Sequence, residues 1–212
     1  MSTPNLDQQG PPTWRHVLCF SVVALLVGVD LASKSLVMPW LESSMVEFQH
    51  LVPVSASAPA LVRDAHNHER YPIAGEWLGF MHNLNYGAAF GRLAGIPWVL
   101  VIGRVLASFW LSALILRSAT GARVYLSSLV LILAGALGNL WDNFTYEPLI
   151  PDAARPFGPV RDFIDVYFGF MDWHFPTFNI ADSCITVGAI LLLLSGFGGA
   201  PKEEPDESEL PA

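Results

Sequence analysis

The sequence predicts an integral membrane protein: four transmembrane helices with a small β-sheet lying on one face of the bilayer. Three observations carry this prediction. Of the 212 residues, 52% are hydrophobic and 14% charged, with a mean hydropathy of +0.42, a balance too apolar for an ordinary soluble domain. Four segments approach the roughly 20 apolar residues needed to cross a hydrocarbon core. Between the first two, the stretch E-W-L-G-F-M-H-N-L-N-Y-G-A-A-F-G (76–91) alternates in character and carries glycines, as short strands joined by a tight turn do.

The first span covers residues 14–37. Its uncharged stretch, 17–29, is short and reaches crossing length only by including Asp30 and Lys34. A cleavable secretory signal is the competing reading, because a basic residue, an apolar run and an A-S pair occur in order. The two charges interrupt the region where a cleavage site should follow, which favours a retained helix. The second span, 96–116, opens with Pro97 at a first-turn position and carries one charge, Arg104. The third and fourth, 124–141 and 183–200, are uncharged. Four spans put both termini on one side. The short turn R-S-A-T-G-A-R (117–123), with two arginines, marks that side as cytoplasmic. The connections 38–95 and 143–180 then face outward. The expectation is one membrane domain over residues 1–200, with its β region within 38–95. The acidic run P-K-E-E-P-D-E-S-E-L-P-A (201–212) reads as a solvated tail.

Part of the net charge of −8 belongs to that tail. With no basic patch and no aromatic residues interleaved with cations, nothing points to nucleic acid. Cys19 and Cys184 lie in apolar runs, so they read as small core hydrophobes rather than a disulfide. Cys19 follows His16, Val17 and Leu18, without the small-residue pair that precedes the cysteine in a lipoprotein signal. In D-A-H-N-H-E-R (64–70), His66 and His68 have no third ligand at a fixed spacing, so the segment reads as a polar loop insertion and not a metal site.

Chemistry concentrates in two acids at the membrane boundary: Asp162 in V-R-D-F-I-D (160–165) and Asp182 in F-N-I-A-D-S (178–183). A carboxylate there is costly unless it does work, and two in one connection read as a catalytic pair. Capping of the fourth helix, through the amides of Cys184 or Ile185, is the bland alternative for Asp182 and leaves Asp162 unexplained. Asp165 and Asp172 read as solvated loop residues. Asp30 and Lys34, four apart, share one helix face and are spaced to pair. Asn139 and Asp142 are also co-facial, an amide beside a carboxylate suited to orienting a neighbour.

Five blocks, D-L-A-S-K (30–34), N-Y-G-A-A-F (85–90), G-N-L-W-D (138–142), V-R-D-F-I (160–164) and F-N-I-A-D-S (178–183), resemble in order the motifs of the bacterial lipoprotein signal peptidases, or signal peptidase II. The resemblance covers residues 30 to 198. It implies an intramembrane aspartyl endopeptidase of the bacterial inner membrane that removes the signal peptide ahead of a diacylglyceryl-modified cysteine. Its partners are then a prolipoprotein and membrane lipid, with no cofactor or metal, acting as a monomer. By position, Asp162 and Asp182 match the catalytic pair. Asn85 and Gly87 match a substrate-contacting turn, and Asp30, Lys34, Asn139, Asp142 and Asn179 match polar supporting residues. The implied fold adds a sheet cradle and a short amphipathic helix, and the segment 77–90 would lie over the substrate as a flap, with Gly87 and Gly91 permitting motion.

Two departures accompany the match. Asn143 stands where the family usually carries arginine, and Arg161 where an apolar residue is common, so Arg161 is expected to supply a positive charge from another direction. Both outward connections are also longer than usual, around 55–72 and 146–159. A proton-coupled transporter with Asp30, Lys34, Arg104 and Asp142 along a relay is the rival from another class. Polar groups gathered at one boundary, rather than through the bilayer, argue against it. An inactive relative that binds lipoproteins is the other.

Overall fold

The computed structural model describes residues 13–52, 57–64, 66–87, 96–118, 122–152 and 155–197. The acidic tail, the end of the fourth span and the flap residues from 88 onward, Gly91 among them, lie outside these. The elements in order are α1 (Thr13–Glu42), a 3-10 turn (Val46–Phe48), β1 (Val62–Arg63), β2 (Glu69–Ala74), β3 (Leu78–Asn85), α2 (Pro97–Arg117), α3 (Arg123–Thr145), β4 (Val160–Phe168), β5 (Trp173–His174) and α4 (Ile180–Phe197). Helices α1, α2 and α3 are long and apolar enough to cross a membrane. The 18 residues of α4 reach about 27 Å at 1.5 Å per residue, close to the hydrocarbon thickness. Large side chains left uncovered on the helices, such as Phe109, Trp110 and Leu193, suit a lipid environment. Cys19 and Cys184 are both buried and free.

The helices end where local chemistry stops them. Pro97 opens α2 in the first turn, where its missing N–H is unneeded. Arg117 and Arg123 bound the short α2–α3 turn. Helix α1 runs five residues past the expected end, through Pro39, because its last turn is packed under the sheet rather than left in lipid. Met38 and Leu41 are buried, and the Glu42 carboxylate meets His82 Nε2 at 3.1 Å and accepts from Tyr146 Oη at 3.4 Å.

Helix α3 is the centre of the bundle and touches the other three. Its approach to α4 requires glycine. A Cβ on Gly135 would run into the Ala181 carbonyl, and one on Gly138 would sit 2.6 Å from Asp30 Oδ2. Small residues let membrane helices come this close, and here the closeness brings polar side chains of three helices together.

The sheet is antiparallel, ordered β1-β2-β3-β4-β5. Sequence patterning placed it within 38–95. In the structure, β4 and β5 come from the connection after α3. Strand β4 is buried at Val160, Arg161, Asp162, Phe163 and Asp165, so it shows no period-two alternation and carries no amphipathic strand signal. Among the described residues, the 3-10 turn is the one short helical piece outside the four long helices.

Candidate active site

Asp162 projects from β4, one strand in from the edge formed by β5, while Asp182 lies in the first turn of α4. Both line one cavity of about 560 Å³, together with Asn85, Arg104, Asn139 and the apolar side chains of Phe175, Ile185 and Val187. Asn179 joins the two acids. Its Nδ2 donates to Asp162 Oδ1 at 2.7 Å, its backbone N–H to Asp182 Oδ2 at 3.3 Å, and its Oδ1 accepts the Asp182 N–H at 2.9 Å. The last two bonds form a reciprocal capping box. The cap of α4 is therefore Asn179, and the helix starts at Ile180, three residues before the expected boundary. Asp182 closes the box from inside the first turn, instead of capping Cys184 or Ile185.

Each acid has a second amide. Asn139 Nδ2 donates to Asp182 Oδ1 at 2.7 Å, and Asn85 Nδ2 to Asp162 Oδ2 at 3.0 Å. Asn85 is itself oriented by the Gly87 N–H, which donates to its Oδ1 at 2.9 Å. Burial, followed by the charge of Asp182, pushes the Asp162 carboxyl up to about 8, against the opposing pull of Asn85, Lys34 and Asn179.

Behind the acids runs a buried ionic network. Lys34 Nζ is 2.7 Å from Asp30 Oδ2 and 3.2 Å from Asp142 Oδ2, and donates to Asn139 Oδ1 at 3.0 Å. Asp30 Oδ1 accepts the Ala181 N–H at 2.8 Å, fixing the start of α4. The network thus runs from α1 through α3 to the acid on α4, and its members satisfy one another inside the protein.

Asp142 carries the answer to the two departures. Arg161 Nη2 and Nε donate to Asp142 Oδ1 at 2.7 and 3.2 Å, its backbone N–H donates to Oδ2 at 3.0 Å, and its guanidinium lies 4.6 Å from the Tyr146 ring centre. The cation therefore reaches Asp142 from the strand. Asn143 instead accepts from Arg104 at 2.5 Å and donates to the Gly158 carbonyl at 2.8 Å, tying α2 and the start of β4 to α3.

All nine residues singled out in the sequence fall in this assembly: the two acids, Asn85, Gly87, Asp30, Lys34, Asn139, Asp142 and Asn179. Arg104 was not among them. Its signal was a lone charge in an otherwise uncharged span. Asp165 is not a solvated loop residue. It is fully buried on β4, with Arg70 Nη2 2.6 Å from Oδ2 and His174 Nδ1 2.7 Å from Oδ1. Its partners come from elements that spacing alone does not connect. Asp172 is exposed, at positive φ, and accepts from the Tyr167 hydroxyl.

The fold and this cavity define a membrane-embedded protein with two amide-held carboxylates at the junction of a helix bundle and a sheet. Residues 22–197 match the family described as signal peptidase (SPase) II, and the chain belongs to that family. It is similar to the lipoprotein signal peptidase of Photorhabdus laumondii subsp. laumondii, 34% identical over 145 residues, 66% of this chain and 78% of the relative. It is also similar to that of Yersinia pseudotuberculosis serotype O:1b, 37% identical over 117 residues, 53% of this chain; that match spans 62% of the relative, under two thirds of its length. Two structures of bacterial membrane enzymes obtained by the in meso method share the fold. One has a TM-score of 0.61 at 22% identity, covering 90% of this chain and 93% of its own; the other has 0.60 at 23%, covering 86% and 94%.

Proposed function

We propose that this protein is an aspartyl endopeptidase that cleaves the signal peptide of diacylglyceryl-modified prolipoproteins, with Asp162 and Asp182 as the catalytic pair. One observation carries the reading: two carboxylates from different elements line the same cavity and are bridged by a single asparagine, Asn179. Two acids held this way share one proton, because mutual repulsion opposes ionisation of both. With the Asp162 carboxyl raised to about 8, Asp162 is the member that holds the shared proton near neutral pH.

Hydrolysis then follows with all protons accounted for. A water between the acids attacks the scissile carbonyl carbon and gives a proton to Asp182, while Asp162 donates its own to the carbonyl oxygen. Collapse of the tetrahedral diol breaks the C–N bond. The leaving amine takes the proton from Asp182, and the diol hydroxyl returns one to Asp162. Asn85, Asn139 and Asn179 hold the carboxylates, and Lys34 with Asp30 and Asp142 holds Asn139.

Ile185 and Val187 line the cavity on α4, which suits a substrate whose acyl chains stay in lipid while the adjacent peptide bond enters. In this reading the sheet and cavity face the extracytoplasmic side, both termini are cytoplasmic, residues 1–200 form one domain and a single copy suffices. The test is a digest of a diacylglyceryl-modified prolipoprotein by the wild type, Asp162→Asn and Asp182→Asn, each checked for an unchanged circular dichroism spectrum. Cleavage is expected to vanish in both variants. Turnover retained by either removes the pair from the chemistry.

A further inference from the structure

Away from the cavity, at the far end of β4, the sheet gathers imidazoles and carboxylates that the proposed hydrolysis does not use. Asp64 follows β1, His68 precedes β2, and His174 ends β5. One ligand atom from each lies within 4.8 Å of the others. Of the two histidines in the 64–70 segment, His68 joins Asp64 here and the fold supplies His174 from more than 100 residues away, while His66 Nε2 meets Asp172 at 3.0 Å.

The local geometry arranges these atoms. Asp64 Oδ1 accepts the backbone N–H groups of His66 and His68 at 2.9 and 2.8 Å, closing a tight turn through Asn67 at φ 67°. That leaves Oδ2 to the rings: His68 Nδ1 is 3.1 Å away and His174 Nε2 2.9 Å. The two rings stand nearly perpendicular, at 86°, with centres 5.2 Å apart. On its other nitrogen, His174 is held by the buried Asp165, at 2.7 Å, which is in turn held by Arg70. A carboxylate on one ring nitrogen is how proteins fix a metal-binding histidine, since it keeps the proton on Nδ1 and leaves the Nε2 lone pair facing outward. Here Nε2 faces a carboxylate oxygen. His174 Nε2 is buried and lies 2.9 Å from Asp64 Oδ2. A proton on Nε2 or a metal ion between the two atoms accounts for that approach.

We propose that Asp64, His68 and His174 form a binding site for a divalent transition cation of the zinc class, which clamps the β1–β2 turn to the β4–β5 hairpin. Zinc bonds of about 2.0–2.1 Å in a tetrahedron set neighbouring ligand atoms about 3.3 Å apart, so the two ring-to-carboxylate separations need to open by only a few tenths of an ångström. Two imidazoles and one carboxylate select zinc over magnesium or calcium, which prefer all-oxygen shells. A water fills the fourth position. The clamp has a structural purpose: β1 pairs with β2 at only two positions, Val62 with Arg70 and Arg63 with Glu69. Such a short edge gains from a cross-link to the strand that carries Asp165.

The test uses the untagged full chain in detergent, stripped with EDTA and titrated with zinc chloride against a chromogenic chelator. Thermal midpoints are measured with and without zinc. One zinc per chain and a rise in midpoint are expected. His68→Ala, at a residue whose side chain is 45% exposed, should weaken zinc binding at least tenfold and leave the zinc-free midpoint unchanged. Asp165→Asn should weaken binding about tenfold through the orientation of His174. Magnesium chloride at the same concentrations should produce no rise. The proposal is overturned by the lack of a stoichiometric site or by wild-type affinity in His68→Ala. None of these measurements reads peptidase activity, so the outcome is independent of the role of Asp162 and Asp182.

Discussion

Removing one amide should move the pH profile of the proposed hydrolysis in a definite direction. Asn85 Nδ2 donates to Asp162 Oδ2 at 3.0 Å and favours the charged form of that carboxyl. A hydrogen bond to a charged group contributes about 1.5–3 kcal/mol when buried. Asn85 is only partly buried and water replaces part of the loss, so the low end applies. At 1.36 kcal/mol per unit, Asn85→Ala raises the Asp162 carboxyl by about one unit above its value of about 8. The sign follows from the mechanism. In the proposed mechanism the active pair carries one proton, and activity falls as pH rises through the value at which Asp162 gives it up. In the wild type the alkaline limb of kcat/KM therefore lies near pH 8, and in Asn85→Ala it lies about one unit higher, with a lower plateau because the acid is less well held. The assay is hydrolysis of a fluorogenic diacylglyceryl peptide in detergent, from pH 5 to 10. An alkaline limb that stays in place, or moves down, would refute the assignment of the shared proton to Asp162.

Three further substitutions probe the support behind the acids. Lys34→Met leaves Asp30 and Asp142 without their shared cation in a fully buried site, so thermal unfolding in detergent should show a loss of about 3–5 kcal/mol; an unchanged midpoint counts against the network. Gly138→Ala places a methyl 2.6 Å from Asp30 Oδ2, and overpacking of this kind costs about 1–3 kcal/mol, read in the same unfolding experiment. Arg161→Ala removes the strand-borne cation of Asp142 and should lower both stability and kcat, with Arg161→Lys recovering only part because it cannot repeat the forked contact. Full activity in Arg161→Ala would show that Asp142 needs no replacement for the arginine absent at Asn143.

Much of this architecture was legible because its causes are local. Apolar runs of near-crossing length, Pro97 at a helix start and arginines at both ends of a short connection placed the helices to within a few residues. The larger errors arose where burial erased the pattern. Strand β4 is covered almost throughout, so V-R-D-F-I-D carries no alternation, and Asp165 looked like a loop acid although Arg70 and His174 enclose it. The start of α4 moved because Asn179 and Asp182 cap each other, a bond pattern that two residue letters do not distinguish from a single cap.

The sequence by itself pointed to a membrane helix bundle, to the apolar segments that become its helices, and to the polar residues too costly to be incidental. Ordered blocks also picked out those residues together, both aspartates among them. Only the tertiary structure decided how they meet: that Lys34 reaches Asn139 across 105 positions, that Arg161 serves Asp142 from a strand, and that His174 closes on Asp64. The physical reason is that hydropathy and capping act over a few residues. Hydrogen bonds and ion pairs between distant side chains exist only once close helix packing, allowed by Gly135 and Gly138, has brought their elements to within a few ångströms.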